Sequence, residues 1–170
     1  MDLSERLSDS KPAIVSRWID AAIESYHAGA SGFLKKNKNR FTNPVGHALS
    51  EGLGSVFDGL LQGVGSEQMR ARIHDIMRIA AVQDLKPSQS MLFLLRIREI
   101  VGDALGKKAP AGHAEVLGIL NERIDALVLL SFDVFMECRE KIYELRANEA
   151  RNMTFRLLQR AKIITEGQLE

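Results

Sequence analysis

The stretch HAEVLGILNERIDALVLLSFDVFMECREKIYELRANEARNMTFRLLQRAKI, residues 113–163, decides the fold class. It contains no proline, and Gly118 is its only glycine, so nothing in it interrupts a helix. A continuous helix of this extent would be about 75 Å long at 1.5 Å per residue. A compact domain of this size is narrower than that. We therefore expect part of the helix to project, and the alternative is a break near Glu144 followed by a helix that folds back.

The two halves of this stretch differ in composition. The first half is apolar on several faces, which is typical of a buried helix. Its apolar residues include Val116, Leu117, Leu120, Ile124, Leu127, Val128, Leu130, Phe132 and Phe135. The second half is charged and polar apart from one seam, in which small or apolar residues recur at alternating intervals of four and three. The seam consists of Tyr143, Ala147, Ala150, Thr154, Leu157 and Ala161, and we predict that it is a coiled-coil or dimerisation surface.

The preceding residues contain four more apolar patterns of helical period and no convincing strand. Their starts carry helix-start residues: Ser10, Pro44 after Asn43, Ser66 and Pro87. The fourth pattern carries the apolar residues Met91, Leu92, Leu95, Ile100, Val101 and Leu105. The glycines of the second pattern indicate either the close approach of another helix or local mobility; they are Gly46, Gly52, Gly54 and Gly59.

The sequence therefore predicts an all-α protein, a single helical bundle with a long C-terminal helix. We assign residues 1–140 to one helical domain. Residues 141–170 are the extension of the long helix.

Composition excludes several classes of protein. The formal net charge of +1 argues against a dedicated nucleic-acid binder, which usually has a strongly basic domain. Cys138 is the only cysteine, so no internal disulfide forms, and we expect a reducing compartment, the cytoplasm. The most apolar run, Ala126 to Met136, is shorter than the roughly 20 residues that span a bilayer, so we expect no membrane insertion.

Catalytic and cofactor signals are weak. The histidines at 27, 47, 74 and 113 are scattered and lack neighbours at metal-ligand spacing, and no glycine-rich phosphate loop follows a strand. Haem would need an axial ligand such as His74 or His113, and nothing in the sequence marks either one. We predict a protein that is not an enzyme, with no metal and no cofactor.

The most polar connection is RIAAVQDLKPSQSM, residues 78–91. Helix termination and capping account for Asp84, Pro87, Ser88 and Gln89, but they leave Arg78 and Gln83 unexplained. A candidate ligand or signal site therefore consists of Arg78, Gln83, Asp84, Ser88 and Gln89.

A basic cluster lies between two phenylalanines in FLKKNKNRF, residues 33–41. It is a candidate patch for an anion or an acidic partner, and the alternative is a solvated loop. The cluster consists of Lys35, Lys36, Lys38 and Arg40.

Three segments together resemble the N-terminal sensory domain of RsbRD proteins, the stressosome RsbT co-antagonists and related histidine kinases. They are KPAIVSRWIDAAIESY, FLKKNKNRFTNPVGHAL and IMRIAAVQDLKPSQSMLFLLRI, and the similarity covers about residues 8–140. The resemblance implies a regulatory input domain joined by a helix to an output module. By analogy with stressosome heads it also implies a globin-like, non-haem bundle that dimerises. The sequence ends about 30 residues after the domain without such a module, so we expect action through dimerisation or a partner.

Three functional hypotheses follow. The first is a cytoplasmic, non-catalytic sensor of the RsbRD N-terminal type that acts as a homodimer or through a signalling partner. The second is a small-ligand or cofactor-binding helical protein with a pocket near residues 78–89. The third is an adaptor for a redox complex, with the Lys35–Arg40 cluster as the contact.

Overall fold

The computed structural model describes residues 7–26, 44–82, 86–105 and 114–161, and in these ranges the secondary structure is helical with no strand. This confirms the predicted all-α class. Five helices have both ends within the described residues: α1 (Lys11–Tyr26), α2 (Pro44–Gln62), α3 (Ser66–Val82), α4 (Pro87–Leu105) and α5 (Ala114–Arg160).

The helix boundaries follow local chemistry. The carbonyl of Ser10 accepts the N–H of Ile14 at 3.0 Å, which places Ser10 at the N-cap of α1. Helix α2 is followed by Gly63, whose φ of +67° is a left-handed conformation that glycine adopts without a Cβ clash. The Arg123 side chain of α5 then donates to the carbonyls of Leu60 and Leu61, both at 2.8 Å. These bonds satisfy carbonyls that have no partner within α2.

The helices pack in a closed ring. In spatial order the ring is α1, α2, α3, α5 and α4, so that α4 lies between α1 and α5 and does not follow α3 around the ring. Helix α2 makes a minor additional contact with α5. One continuous apolar core fills the centre of this ring, and all five helices contribute to it.

The α1–α4 contact is anchored by Trp18. Its indole is fully buried, and its Nε1–H donates to the carbonyl of Phe93 at 2.8 Å, while the two rings lie 6.3 Å apart. A buried indole N–H needs such a partner. This anchor sets the rotation of α4: Phe93, Leu94 and Ile97 face the core, whereas Leu92 and Leu95 are exposed. Leu92 and Leu95 belong to the same apolar pattern as Met91 and Ile100, but only the latter two are buried.

Close approach of α3 explains two of the α2 glycines. A Cβ at Gly52 would lie 2.8 Å from Cδ1 of Ile76, and a Cβ at Gly59 would lie 2.8 Å from Cε of Met69. Both distances are shorter than van der Waals contact. A Cβ at Gly54 would meet nothing within 4 Å, so close approach explains only part of the glycine pattern.

Helix α5 runs without interruption for 47 residues, about 70 Å. The predicted long C-terminal helix is confirmed, and no break occurs near Glu144. Leu120, Ile124, Leu127, Val134 and Phe135 are buried, and after Phe135 no described residue of α5 is buried. Only one side of the first half faces the core, because α3 and α4 cover only that side. Phe132, which we expected to be buried, is 43% exposed.

The part of the chain that the structure describes contains no helix that is both long and apolar enough to cross a membrane.

Candidate functional site

The start of α4 accounts for part of the polar stretch. Pro87 is the first residue of the helix, as predicted, and Lys86 precedes it as the N-cap. The backbone N–H of Lys86 donates to Oε1 of Gln89 at 3.3 Å, and the N–H of Gln89 donates back to the carbonyl of Lys86 at 3.0 Å. Gln89 therefore caps α4 in the manner of a capping box. Ser88 is exposed, and Gln83 and Asp84 lie outside the described residues.

Arg78 lies one turn before the end of α3, away from this cap. Its side chain is exposed, and Nη2 lies 3.5 Å from Oδ1 of Asp75 on the same helix. An exposed pair at that distance contributes little stability, so the guanidinium is available to other anions. Arg78 lines two cavities, one on each side of α3, and Ser88 and Gln89 line neither. The structure thus separates Arg78 from the α4 cap, and a ligand-binding role for these residues stays a prediction.

The larger cavity is a cleft of about 790 Å³ between α2 and α3. Charged groups of both signs line it, and most of them are paired along their own helix. Nε2 of His47 lies 3.2 Å from Oε2 of Glu51 on α2, and Asp75 and Arg78 form the pair on α3. Two carboxylates and two guanidiniums line the cleft, so its net charge favours a ligand of neither sign.

The smaller cavity, which we call the exit crevice, lies between the end of α3 and the part of α5 that leaves the bundle. Its volume is about 440 Å³. Its lining consists of His74, Arg78 and Val82 of α3 and Glu137, Cys138, Lys141 and Ile142 of α5. Apolar groups and positive side chains meet in this crevice, and that combination was not foreseen from the sequence.

Cys138 lies in the wall of the exit crevice and is half-buried. Burial raises the pKa of its thiol above the ordinary value of 9.0, and the negative charge of Glu137 raises it further. Arg78 and Arg70 act in the opposite direction with a smaller effect. The thiol is therefore protonated at neutral pH, which does not favour a redox or nucleophilic role.

Arg139 connects the end of α3 to the first residue of the predicted seam. Its Nη1 donates to the carbonyl of Ala81 at 2.8 Å, where the last turn of α3 leaves carbonyls without helical partners. Its Nε donates to the hydroxyl of Tyr143 at 3.1 Å, and the guanidinium lies over the rings of both Phe135 and Tyr143. The sequence signal was present, because residues 135, 139 and 143 are spaced four apart and share one helix face.

A second link between α3 and α5 lies nearby. Nη2 of Arg70 contacts both carboxylate oxygens of Glu137, at 2.5 and 2.6 Å. This close pair neutralises the one acidic side chain among the residues that line the exit crevice.

The predicted seam residues all lie on the exposed part of α5. Tyr143 and Leu157 are 52% and 62% exposed, and Ala147, Ala150, Thr154 and Ala161 are exposed as well. The hydroxyl of Thr154 donates to the carbonyl of Ala150 at 2.9 Å, so it does not need water or a partner to satisfy its donor. A dimer through this seam stays a prediction.

The heptad position of Tyr143 stays apolar upstream, which the sequence reasoning missed. Met136 and Leu129 lie one heptad and two heptads before Tyr143, and therefore share the seam's face. Leu129 is 69% exposed, although it lies beside the bundle. The apolar stripe thus begins on the outer surface of the bundle and is not confined to the projecting half.

Other candidates gain no support. The basic cluster at residues 35–40 and His113 lie outside the described residues, and His74 is an exposed residue at the crevice. Within the described ranges no group of three or more His, Cys, Asp or Glu side chains is placed to hold a metal ion.

Comparison with known proteins identifies relatives by sequence. The family model of the RsbT co-antagonist protein rsbRD N-terminal domain matches residues 12–150. An uncharacterized protein of Archaeoglobus fulgidus is 32% identical over 141 residues, which cover 80% of this chain and 82% of the relative. No solved structure matches the chain, so a globin-like arrangement of the helices stays a prediction.

The family match ends at residue 150, well past the buried part of α5, and therefore includes the start of the seam. The sequence resemblance is confirmed over most of the chain. The chain belongs to the family of RsbT co-antagonist protein rsbRD N-terminal domains.

Proposed function

We propose that this chain is a non-catalytic, cytoplasmic input module that regulates a protein partner, in the manner of a stressosome sensor domain. Family membership supports a regulatory domain, and the single cysteine supports a reducing compartment. The signal acts on the helical bundle, and α5 carries the response to a second copy of the chain or to a signalling protein.

One observation carries this proposal: α5 is a single helix that belongs to both parts of the molecule. Its first half contributes to the core, and its second half presents small and apolar side chains to solvent in a heptad register. A shift of the first half within the bundle must move the second half with it, because the helix has no proline and no break between them. Packed interfaces tend to have discrete arrangements, so such a shift selects between two states of the seam.

The seam has the composition of a surface that pairs with another helix. Small residues such as Ala147 and Ala150 allow two backbones to approach, and Tyr143 and Leu157 add apolar area on either side of them. A second copy of the same seam is the occupant that fits best, because a parallel pair places each small residue against its counterpart.

The experiment is a measurement of self-association with two matched variants. Ala150→Asp puts a carboxylate into the seam, and Asn152→Asp puts the same charge on the opposite face of the same turn. We expect the native chain to be dimeric at micromolar concentration in sedimentation equilibrium. Ala150→Asp should raise the dissociation constant by about tenfold or more, because two unpaired carboxylates then face each other, whereas Asn152→Asp should change it little. A native chain that stays monomeric, with no effect of Ala150→Asp, would overturn the dimer.

The cavities beside Arg78 favour a second function for the same module, the binding of a small ligand. This function does not compete with the first, because the exit crevice lies where α5 leaves the bundle. A ligand there would be an input, and α5 would be the output.

A further inference from the structure

The exit crevice combines an apolar wall with positive side chains at its rim. Val82 and Ile142 lie on the two sides of the crevice, and Cys138 with its protonated thiol adds a third apolar surface. Arg78 on α3 and Lys141 on α5 carry the charges, and both side chains are mostly exposed. The volume of about 440 Å³ lies in the range of small-molecule sites.

The positive charge at the rim is not offset by strong partners. Nη2 of Arg78 lies 3.5 Å from Asp75, and Nζ of Lys141 lies 3.6 Å from Glu144. Both pairs are exposed and long, so a carboxylate from a ligand can replace either partner at little cost. Glu137, the acidic residue of the lining, is held by Arg70 at 2.5 Å and repels an incoming anion less than a free carboxylate would.

We infer that the exit crevice binds a small carboxylate that carries an apolar group. The carboxylate lies between Arg78 and Lys141, which donate charge-assisted hydrogen bonds to it. The apolar group lies against Val82, Cys138 and Ile142, where its burial supplies the rest of the affinity. A neutral or cationic molecule of the same shape gains only the second contribution.

Such a ligand would bridge α3 and α5 at the point where the helix leaves the bundle. Arg139, which bonds Ala81 at the end of α3 and Tyr143 at the start of the seam, lies next to the crevice residue Cys138. A bound carboxylate therefore adds a further tie between the same two helices and favours the arrangement in which α3 holds α5. This step rests on the proposed function, whereas the binding step does not.

The binding step is tested with three probes of one shape and different charge: 3-phenylpropionate, 3-phenylpropanol and 3-phenylpropylamine. The readout is the rate at which iodoacetamide alkylates Cys138 at fixed pH, followed by mass spectrometry as each probe is titrated. We expect 3-phenylpropionate to protect Cys138 at concentrations about tenfold lower than the other two, because hydrogen bonds to charged groups are the stronger ones. Equal protection by all three probes, or none by 3-phenylpropionate, would overturn the assignment.

Variants locate the site. Arg78→Gln combined with Lys141→Gln should abolish the preference for the acid and leave weak binding of all three probes. Val82→Ser should weaken all three probes by a similar factor. Arg96→Gln is the matched control, because Arg96 is an equally exposed arginine paired with Glu99 at 3.4 Å on α4, remote from the crevice. These positions are exposed, so folding should be unaffected, and circular dichroism verifies this. Unchanged preference in the double variant would refute the assignment.

A final comparison separates this inference from the proposed function. Sedimentation equilibrium is repeated with saturating 3-phenylpropionate on the native chain and on Ala150→Asp. A change in the native dissociation constant that Arg78→Gln with Lys141→Gln removes supports the coupling. Protection of Cys138 without any change in self-association would refute the coupling but not the site. Failure of protection in a chain that still dimerises through the seam would refute the site and leave the proposed function standing.

Discussion

The two halves of α5 are one helix with two different environments. Residues 114–138 lie against α3 and α4 and bury one face, whereas residues 141–160 have no buried residue. Both halves have side chains that favour helix, and neither contains proline. The comparison shows that helix formation and burial are separate properties here. The first follows from the sequence of α5 alone, and the second depends on which other helices lie beside it.

The difference in burial between the two halves is tested by making the same substitution, Phe to Ala, in each of them. Phe135→Ala removes a fully buried ring and should lower the free energy of unfolding by about 3–5 kcal/mol, through lost burial and a residual cavity. Phe155→Ala, made on the projecting half and off the seam, should cost less than about 1 kcal/mol. Urea denaturation followed by circular dichroism, at one chain concentration, measures both. Equal losses would mean that the projecting half packs against something as extensive as the core.

Substitutions of polar side chains in the two halves should also differ in their effect on the free energy of unfolding, but by a smaller amount. Arg123→Met keeps an apolar stem but removes the two bonds to the carbonyls of Leu60 and Leu61, so it should cost about 2 kcal/mol. Arg156→Met in the projecting half should change stability by no more than about 0.5 kcal/mol. The same urea denaturation experiment measures the stability of both variants. If Arg123→Met left stability unchanged, water would satisfy the carbonyls at the end of α2 as well as the guanidinium does.

Periodicity predicted the helices and the long C-terminal helix but not the rotation of each helix. In the sequence, a stripe with Leu92 and Leu95 is as apolar as one with Phe93. The contact with Trp18 selects the face of α4 that carries Phe93. That selection is a contact between residues 75 positions apart, which no local pattern contains. For the same reason Phe132 looked buried: an apolar residue on a helix is covered only if a neighbouring helix reaches it.

The candidate site also depends on contacts between residues that are far apart in the sequence. Capping was predicted for Gln89 and is observed at the start of α4, whereas Arg78, which capping did not explain, lies away from that cap. The exit crevice needed the position of α5 beside the end of α3, which depends on the order of the helices around the ring. Lys141 has no feature in the sequence that distinguishes it from other exposed lysines, and only this placement brings it into the same crevice as Arg78.

The start of the dimer contact along α5 can be located by substitution. Leu129→Asp changes a residue beside the bundle that shares the face and spacing of the seam, and it should weaken self-association by about tenfold, about 1.4 kcal/mol. Leu92→Asp is the control, because Leu92 is also an exposed leucine, lies on α4 and is off the stripe. Sedimentation equilibrium measures both. If Leu129→Asp matched the control, the dimer contact would be confined to the projecting half, and the two halves of α5 would differ in function as well as in burial.

The smallest expected effect concerns the thiol where the two halves meet. Burial, reinforced by Glu137, raises the pKa of Cys138 above its ordinary value of 9.0. A thiol introduced by Asn152→Cys in a Cys138→Ser background lies on the exposed half and should titrate near the ordinary value. The pH dependence of iodoacetamide alkylation should therefore have a higher midpoint for Cys138. Because the folded state holds this proton more tightly, the stabilisation it gives is complete below about pH 9 and is lost as the pH rises through the pKa of the folded state. An alkylation midpoint for Cys138 at or below that of the exposed thiol would show that Arg78 and Arg70 outweigh burial, so that the crevice is more positive and less apolar than its lining indicates.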